Sequence, residues 1–97
     1  MTKQEAIELE NKCDKLMSEY LGNDCNVCMA LSGRFKVSFG DNYITLGQDN
    51  KSASYVKFHG YHSDLDGHIN SIVRCIEENK DIFDELIWTY EHLSELE

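Results

Sequence analysis

The sequence predicts an α+β domain: an N-terminal helix, an antiparallel β-meander of three to four strands, and two C-terminal helices packed on one face of the sheet. Three observations predict it. The hydrophobic period changes from about 3.6 to two near residue 26 and returns to about 3.6 after residue 59. Short segments carrying Gly, Asn and Asp separate the alternating runs. A chain of 97 residues, 41% apolar and without proline, suits a single domain over residues 1–97 with one modest core.

The first helix begins at a capping box, with Thr2 three residues before Glu5. Ala6, Leu9, Cys13, Leu16, Met17 and Tyr20 recur at helical spacing, and Gly22 with Asn23 supplies a stop. Glu8, Lys12, Lys15 and Glu19 mix both signs on the outer face, as solvated helices commonly do. Val27, Met29 and Leu31 then alternate with Cys28, Ala30 and Ser32. Phe35, Val37 and Phe39 alternate with Lys36 and Ser38. "GDNY" and "GQDNKS" read as turns before "YITL" and "SYVKFH". One sheet face is apolar and needs a cover; the other is expected to show Arg34, Lys36, Tyr43, Thr45, Tyr55, Lys57 and His59. Ser63 with Asp66 marks a helix start, followed by Leu65, Ile69, Ile72, Val73 and Ile76. "ENKD" breaks that helix. The last helix, expected from Lys80 to Glu97, has a wide apolar stripe of Ile82, Phe83, Leu86, Ile87, Tyr90, Leu93 and Leu96.

The formal net charge is −9, unevenly spread. Residues 26–60 carry two acids and four bases, whereas residues 61–97 carry ten acids and two bases. A field this negative disfavours direct nucleic-acid binding at the C-terminal third and favours a basic partner. No run approaches the roughly 18 apolar residues of a membrane span, so no membrane partner is expected. The polar, amphipathic N-terminus does not resemble a signal peptide, and a cytoplasmic location follows as the expectation. There Cys13, Cys25, Cys28 and Cys75 are expected to be reduced thiols.

The closing segment carries the sharpest signal. At about 100° per residue, Trp88 falls opposite the apolar stripe. Asp84, Glu91 and Glu95 flank it, Glu85 and His92 sit on one shoulder, and Asp81 extends the row toward Glu77 and Glu78. Positions 84, 88, 91 and 95 climb one side over roughly 16 Å, with neighbours about 5–6 Å apart. That spacing is comparable to the phosphate ladder of nucleic acid, at about 3.4 Å per charge along one strand. An ordinary solvated face normally interleaves lysine and arginine, and this row is expected to have none. A tryptophan outside the core suggests a binding anchor.

Weaker patterns point elsewhere. Cys25 and Cys28 have zinc-knuckle spacing, and His59 with His62 supplies two further ligands, although H-x₂-H misses the usual second spacing. Tyr43 and Tyr55 among Arg34, Lys36 and Lys57 resemble a stacking platform for single-stranded nucleic acid, but the bases are few. These support a small zinc- or nucleic-acid-binding module as the alternative reading. No spacing pairs a nucleophile with a base and no Gly-rich phosphate loop is present, so a non-enzymatic protein without metal or cofactor is expected.

A short, acidic chain with carboxylate rows on helices resembles the phage-encoded inhibitors that mimic DNA. In size, cysteine content and layout it is similar to anti-CRISPR proteins acting on the type I-F surveillance complex. The resemblance covers the chain in outline, without a diagnostic motif. It implies that an acidic surface occupies the lysine- and arginine-lined groove that Cas proteins offer to target DNA, inside a bacterial host cell. The mixed first helix and basic sheet depart from a mimic that is negative everywhere.

Overall fold

The first helix, α1, spans Lys3–Leu21 and starts at the expected capping box. Thr2 Oγ1 accepts from the Glu5 backbone N–H at 3.1 Å, and Glu5 Oε1 accepts from the Thr2 N–H at 3.1 Å. The same backbone hydrogen bond, ahead of the side-chain one, holds the Glu5 carboxyl below its usual range. Gly22 ends the helix at φ 71°, a left-handed conformation that side chains with a Cβ adopt reluctantly. In this computed structural model residues 1–30, 34–39, 41–48, 55–61 and 67–96 are described, with the backbone alone at Ala30 and along 55–61.

Four strands follow: β1 Asn26–Ala30, β2 Arg34–Phe39, β3 Asn42–Gln48 and β4 Tyr55–Tyr61. They pair antiparallel in the order β1-β2-β3-β4, a meander at the upper end of the expected strand number. Val27 pairs with Val37 and Val37 with Ile44, while Met29 pairs with Phe35 and Phe35 with Leu46. These rows make the apolar face. Gly47 and Gln48, expected in a turn, belong to β3; the remainder of that turn lies outside the described residues. A register shift between Thr45 and Leu46 sets His59 opposite Thr45 but Lys57 opposite Leu46. The even alternation expected of Tyr55, Lys57 and His59 is therefore broken by a bulge.

The expected helix start at Ser63 and Asp66, with Asp64 and Leu65, lies outside the described residues. Gly67 and His68 turn into α2, Ile69–Glu78. Asn79 serves as C-cap of α2 and N-cap of α3, Lys80–Glu91. Its N–H and side-chain Nδ2 both donate to the Cys75 carbonyl, at 3.1 and 2.9 Å, and its own carbonyl accepts from Ile82 and Phe83. One residue thus forms the corner between two helices.

The expectation of one helix from Lys80 to Glu97 is corrected. The α-helix stops at Glu91, His92 caps it, and Leu93–Glu95 form a 3-10 turn. Leu93, placed by periodicity in the buried stripe, is 54% exposed, because the tighter turn rotates it away. Thr89 is buried instead. Its hydroxyl donates to the Glu85 carbonyl at 2.8 Å, which lets a polar residue enter the core side.

The helices cover the apolar sheet face. Leu9, Cys13 and Met17 of α1, Ile72, Cys75 and Ile76 of α2, and Phe83 and Leu86 of α3 join Val27, Phe35, Val37, Ile44 and Leu46 in the core. Phe35 and Phe83 meet edge to face, 5.5 Å between centroids at 88°. Two polar links tie α1 to β1 and to the residue just before it. Asp14 Oδ1 accepts from the Val27 N–H at 2.6 Å, and Ser18 Oγ accepts from the Cys25 N–H at 3.1 Å. Burial pushes the Asp14 carboxyl up, and the Val27 hydrogen bond opposes that shift. Asp14→Ala is expected to cost about 1–3 kcal/mol by stranding the Val27 donor. Asp14→Asn, which keeps an acceptor and sheds the desolvated charge, should be near neutral in urea unfolding.

Candidate functional site

The rotation of α3 about its axis decides which side chains meet solvent. Phe83 and Leu86 are drawn into the core, so the opposite side is turned outward. Asp81, Asp84, Glu85, Trp88 and Glu91 are all exposed there, over about 15 Å of helix. Trp88 is 45% exposed. Glu77 and Glu78, at the end of α2, are exposed beside the corner at Asn79. Glu95 is exposed on the 3-10 turn, off the straight row expected for it.

The expectation of a row free of basic residues is also corrected. Lys80 Nζ lies 2.8 Å from Asp84 Oδ2, an i,i+4 pair within α3. Glu78 is engaged too: Tyr20 donates to its Oε1 at 2.7 Å and Arg74 approaches its Oε2 at 3.9 Å. Arg74 also lies over the Tyr20 ring at 5.4 Å, and Glu78 raises the pKa of the Tyr20 hydroxyl. Glu95 approaches His92 Nε2 at 4.0 Å. Among the described residues no ion pair is seen for Glu77, Asp81, Glu85 or Glu91. Glu85 and Glu91 stand three residues either side of Trp88, so two such carboxylates flank the indole.

Trp88 is not a bare ring. His92 stacks on it, 4.3 Å between centroids at 15°, and His92 Nδ1 donates to the Trp88 carbonyl oxygen at 2.7 Å. The stack fixes the indole orientation and leaves nearly half of the residue open to contact. Side-chain freedom is thereby spent before any partner arrives, which favours an anchor role.

The competing patterns separate. Cys25 is a core residue whose Sγ lies 3.5 Å from Ser18 Oγ, whereas Cys28 is a β1 residue paired with Lys36. Among the described residues no group of three or more His, Cys, Asp and Glu is placed to hold a metal ion; His62 lies outside them. On the outer sheet face Lys36 Nζ sits 4.7 Å over the Tyr43 ring, which occupies that aromatic surface, and Thr45 is buried rather than displayed. The side chains of Tyr55, Lys57 and His59 lie outside the described residues. Among the described residues no helix is long and apolar enough to cross a membrane.

All four cysteines are free thiols. Burial pushes the Cys13 and Cys75 thiols from an ordinary 9.0 up to about 12, and raises Cys25 and Cys28 as well. A thiol raised in the folded state stabilises the fold below its unfolded pKa, and that contribution disappears as pH climbs through the folded value. The melting temperature is therefore expected to fall between pH 9.0 and about 12. The fall should be shallower in a Cys13→Ala, Cys75→Ala double variant; an equal slope would remove these thiols as its cause.

Compared with known proteins, the chain matches no family model, no curated protein and no solved structure.

Proposed function

We propose that the protein is a non-enzymatic inhibitor whose acidic α3 face occupies a basic nucleic-acid groove, as DNA-mimic anti-CRISPR proteins do. The partner would be a Cas protein of a surveillance complex in the bacterial cytoplasm. The observation that carries the reading is the set of Asp81, Glu85 and Glu91 carboxylates, without basic partners among the described residues, arranged around a half-exposed, pre-oriented Trp88.

The physics favours such a division of labour. Individual exposed charge pairs are worth roughly 0–1 kcal/mol, so several must act together. Their joint field steers association toward a groove built for phosphates and makes it salt-sensitive. Trp88 adds desolvated contact area that charge alone lacks. Asp84 contributes less than its position suggested, since Lys80 already neutralises it.

The test is competition on purified type I-F surveillance complex. Target DNA and this protein are expected to exclude each other, with the protein's binding weakening as salt rises. Simultaneous binding, or none, would remove this partner from the reading.

A further inference from the structure

We propose that the groove between the start of α1 and the end of α3 is a self-association surface, where two copies of this chain pair about a two-fold axis. It is a different surface from the acidic α3 face and does not depend on the inhibitor reading. The groove encloses about 290 Å³ and is lined by Ala6 and Ile7 on α1 and by Leu93 and Leu96 beyond α3, with Lys3 and Glu10 on the α1 wall. Ile7 and Leu93 are each 54% exposed. Met1, also exposed, lies beside it, its Sδ 3.4 Å from the Oγ1 of Thr89, which lines the groove. A single exposed leucine on a surface is ordinary; three large apolar side chains gathered at one groove mark an interface.

The charges choose the occupant. Lys3 and Glu10 lie two turns apart, with Ala6 and Ile7 midway between them. An antiparallel copy of α1 related by a two-fold axis places Lys3 against Glu10 of the other copy, and Glu10 against its Lys3. Ala6 and Ile7 then meet Ile7 and Ala6. A two-fold interface requires this self-complementarity, because one surface must fit itself. Glu5 and Glu8 fall about 200° and 140° around the helix from Lys3, so these two α1 acids stay out of the contact. Glu10 is held in place by the Tyr90 hydroxyl, which donates to its Oε2 at 2.6 Å, and an ionised carboxylate retains further acceptor capacity for a lysine. A basic helix from another protein would satisfy Glu10 but meet repulsion at Lys3. A second copy satisfies both.

Each copy carries −9, so long-range repulsion opposes pairing until salt screens it. Pairing should therefore strengthen from low to physiological salt, the reverse of binding to a basic groove.

Sedimentation velocity on the full chain tests this, from micromolar to about millimolar protein, at about 50 and about 150 mM salt. A monomer–dimer equilibrium is expected, with more dimer at the higher salt. Ile7→Asp should raise the dimer Kd at least roughly tenfold without changing the circular dichroism melt. Lys3→Glu and Glu10→Lys should each weaken pairing alone, and mixing the two variants should restore a heterodimer, since both salt-bridge pairs are then matched. If Glu10→Lys does not fold, Ile7→Asp and the salt dependence decide. A chain that stays monomeric at about millimolar concentration, a dimer indifferent to Ile7→Asp, or folded variants that fail to rescue each other would overturn the proposal. So would capture of a synthetic Lys/Leu amphipathic peptide in the groove of a chain that stays monomeric.

Discussion

Phe83→Ala is expected to destabilise the protein by about 3–5 kcal/mol, read as a lowered urea midpoint with an unchanged slope. Phe83 is fully enclosed and packs edge to face on Phe35, so truncation loses the transfer energy and leaves a cavity between α3 and the sheet. Domains typically hold only about 5–15 kcal/mol in all, so this one change removes a large share. Phe83→Leu keeps more of the volume and should cost less. The consequence reaches the proposed site. Phe83 and Leu86 set the rotation of α3, and that rotation turns the carboxylates outward. Binding of an α3 partner should weaken only by the fraction of the variant that is unfolded.

Glu85→Lys with Glu91→Lys is expected to weaken binding to a basic groove by about 2–4 kcal/mol, roughly 30- to 1000-fold, while leaving the fold intact. Both residues are exposed, so reversing them removes nothing from the core. The first new lysine would stand four residues after Asp81, a favourable spacing. The second would sit in the last helical turn, where the dipole welcomes a cation. Binding falls because attraction becomes repulsion at two points beside Trp88. Equal binding by the double variant would move the contact off this face.

Much of the fold was legible because local signals and the hydrophobic period agreed. Thr2 with Glu5, Gly22 and Asn79 mark helix ends through backbone chemistry that is written in single residues. Where prediction failed, the deciding force was tertiary or too local for periodicity to see. The bulge beside Thr45 has no residue signature, and it redistributes β4 against β3. The end of α3 at Glu91 has neither glycine nor proline to announce it. Thr89 entered the core side because its hydroxyl bonds to its own helix, an option hydropathy does not register.

The candidate site was legible in part. The 100° rule put Trp88 and the acids on the outward side of α3, and the burial of Phe83 and Leu86 gives that placement its cause. The Lys80–Asp84 pair was readable as an i,i+4 spacing, but a row counted from Asp81 onward leaves Lys80 out. The Tyr20 contact to Glu78 joins residues 58 apart, and no sequence rule brings them together. The same holds for the Ile7–Leu93 groove, which needs α1 and the end of α3 side by side.

Carbodiimide footprinting of carboxylates, with the protein free and then bound to purified surveillance complex, tests the central claim most directly. Protection is expected at Asp81, Glu85 and Glu91, with Glu8 and Glu19 on α1 labelled equally in both states. Unchanged labelling on α3 with protection confined to α1 would contradict it.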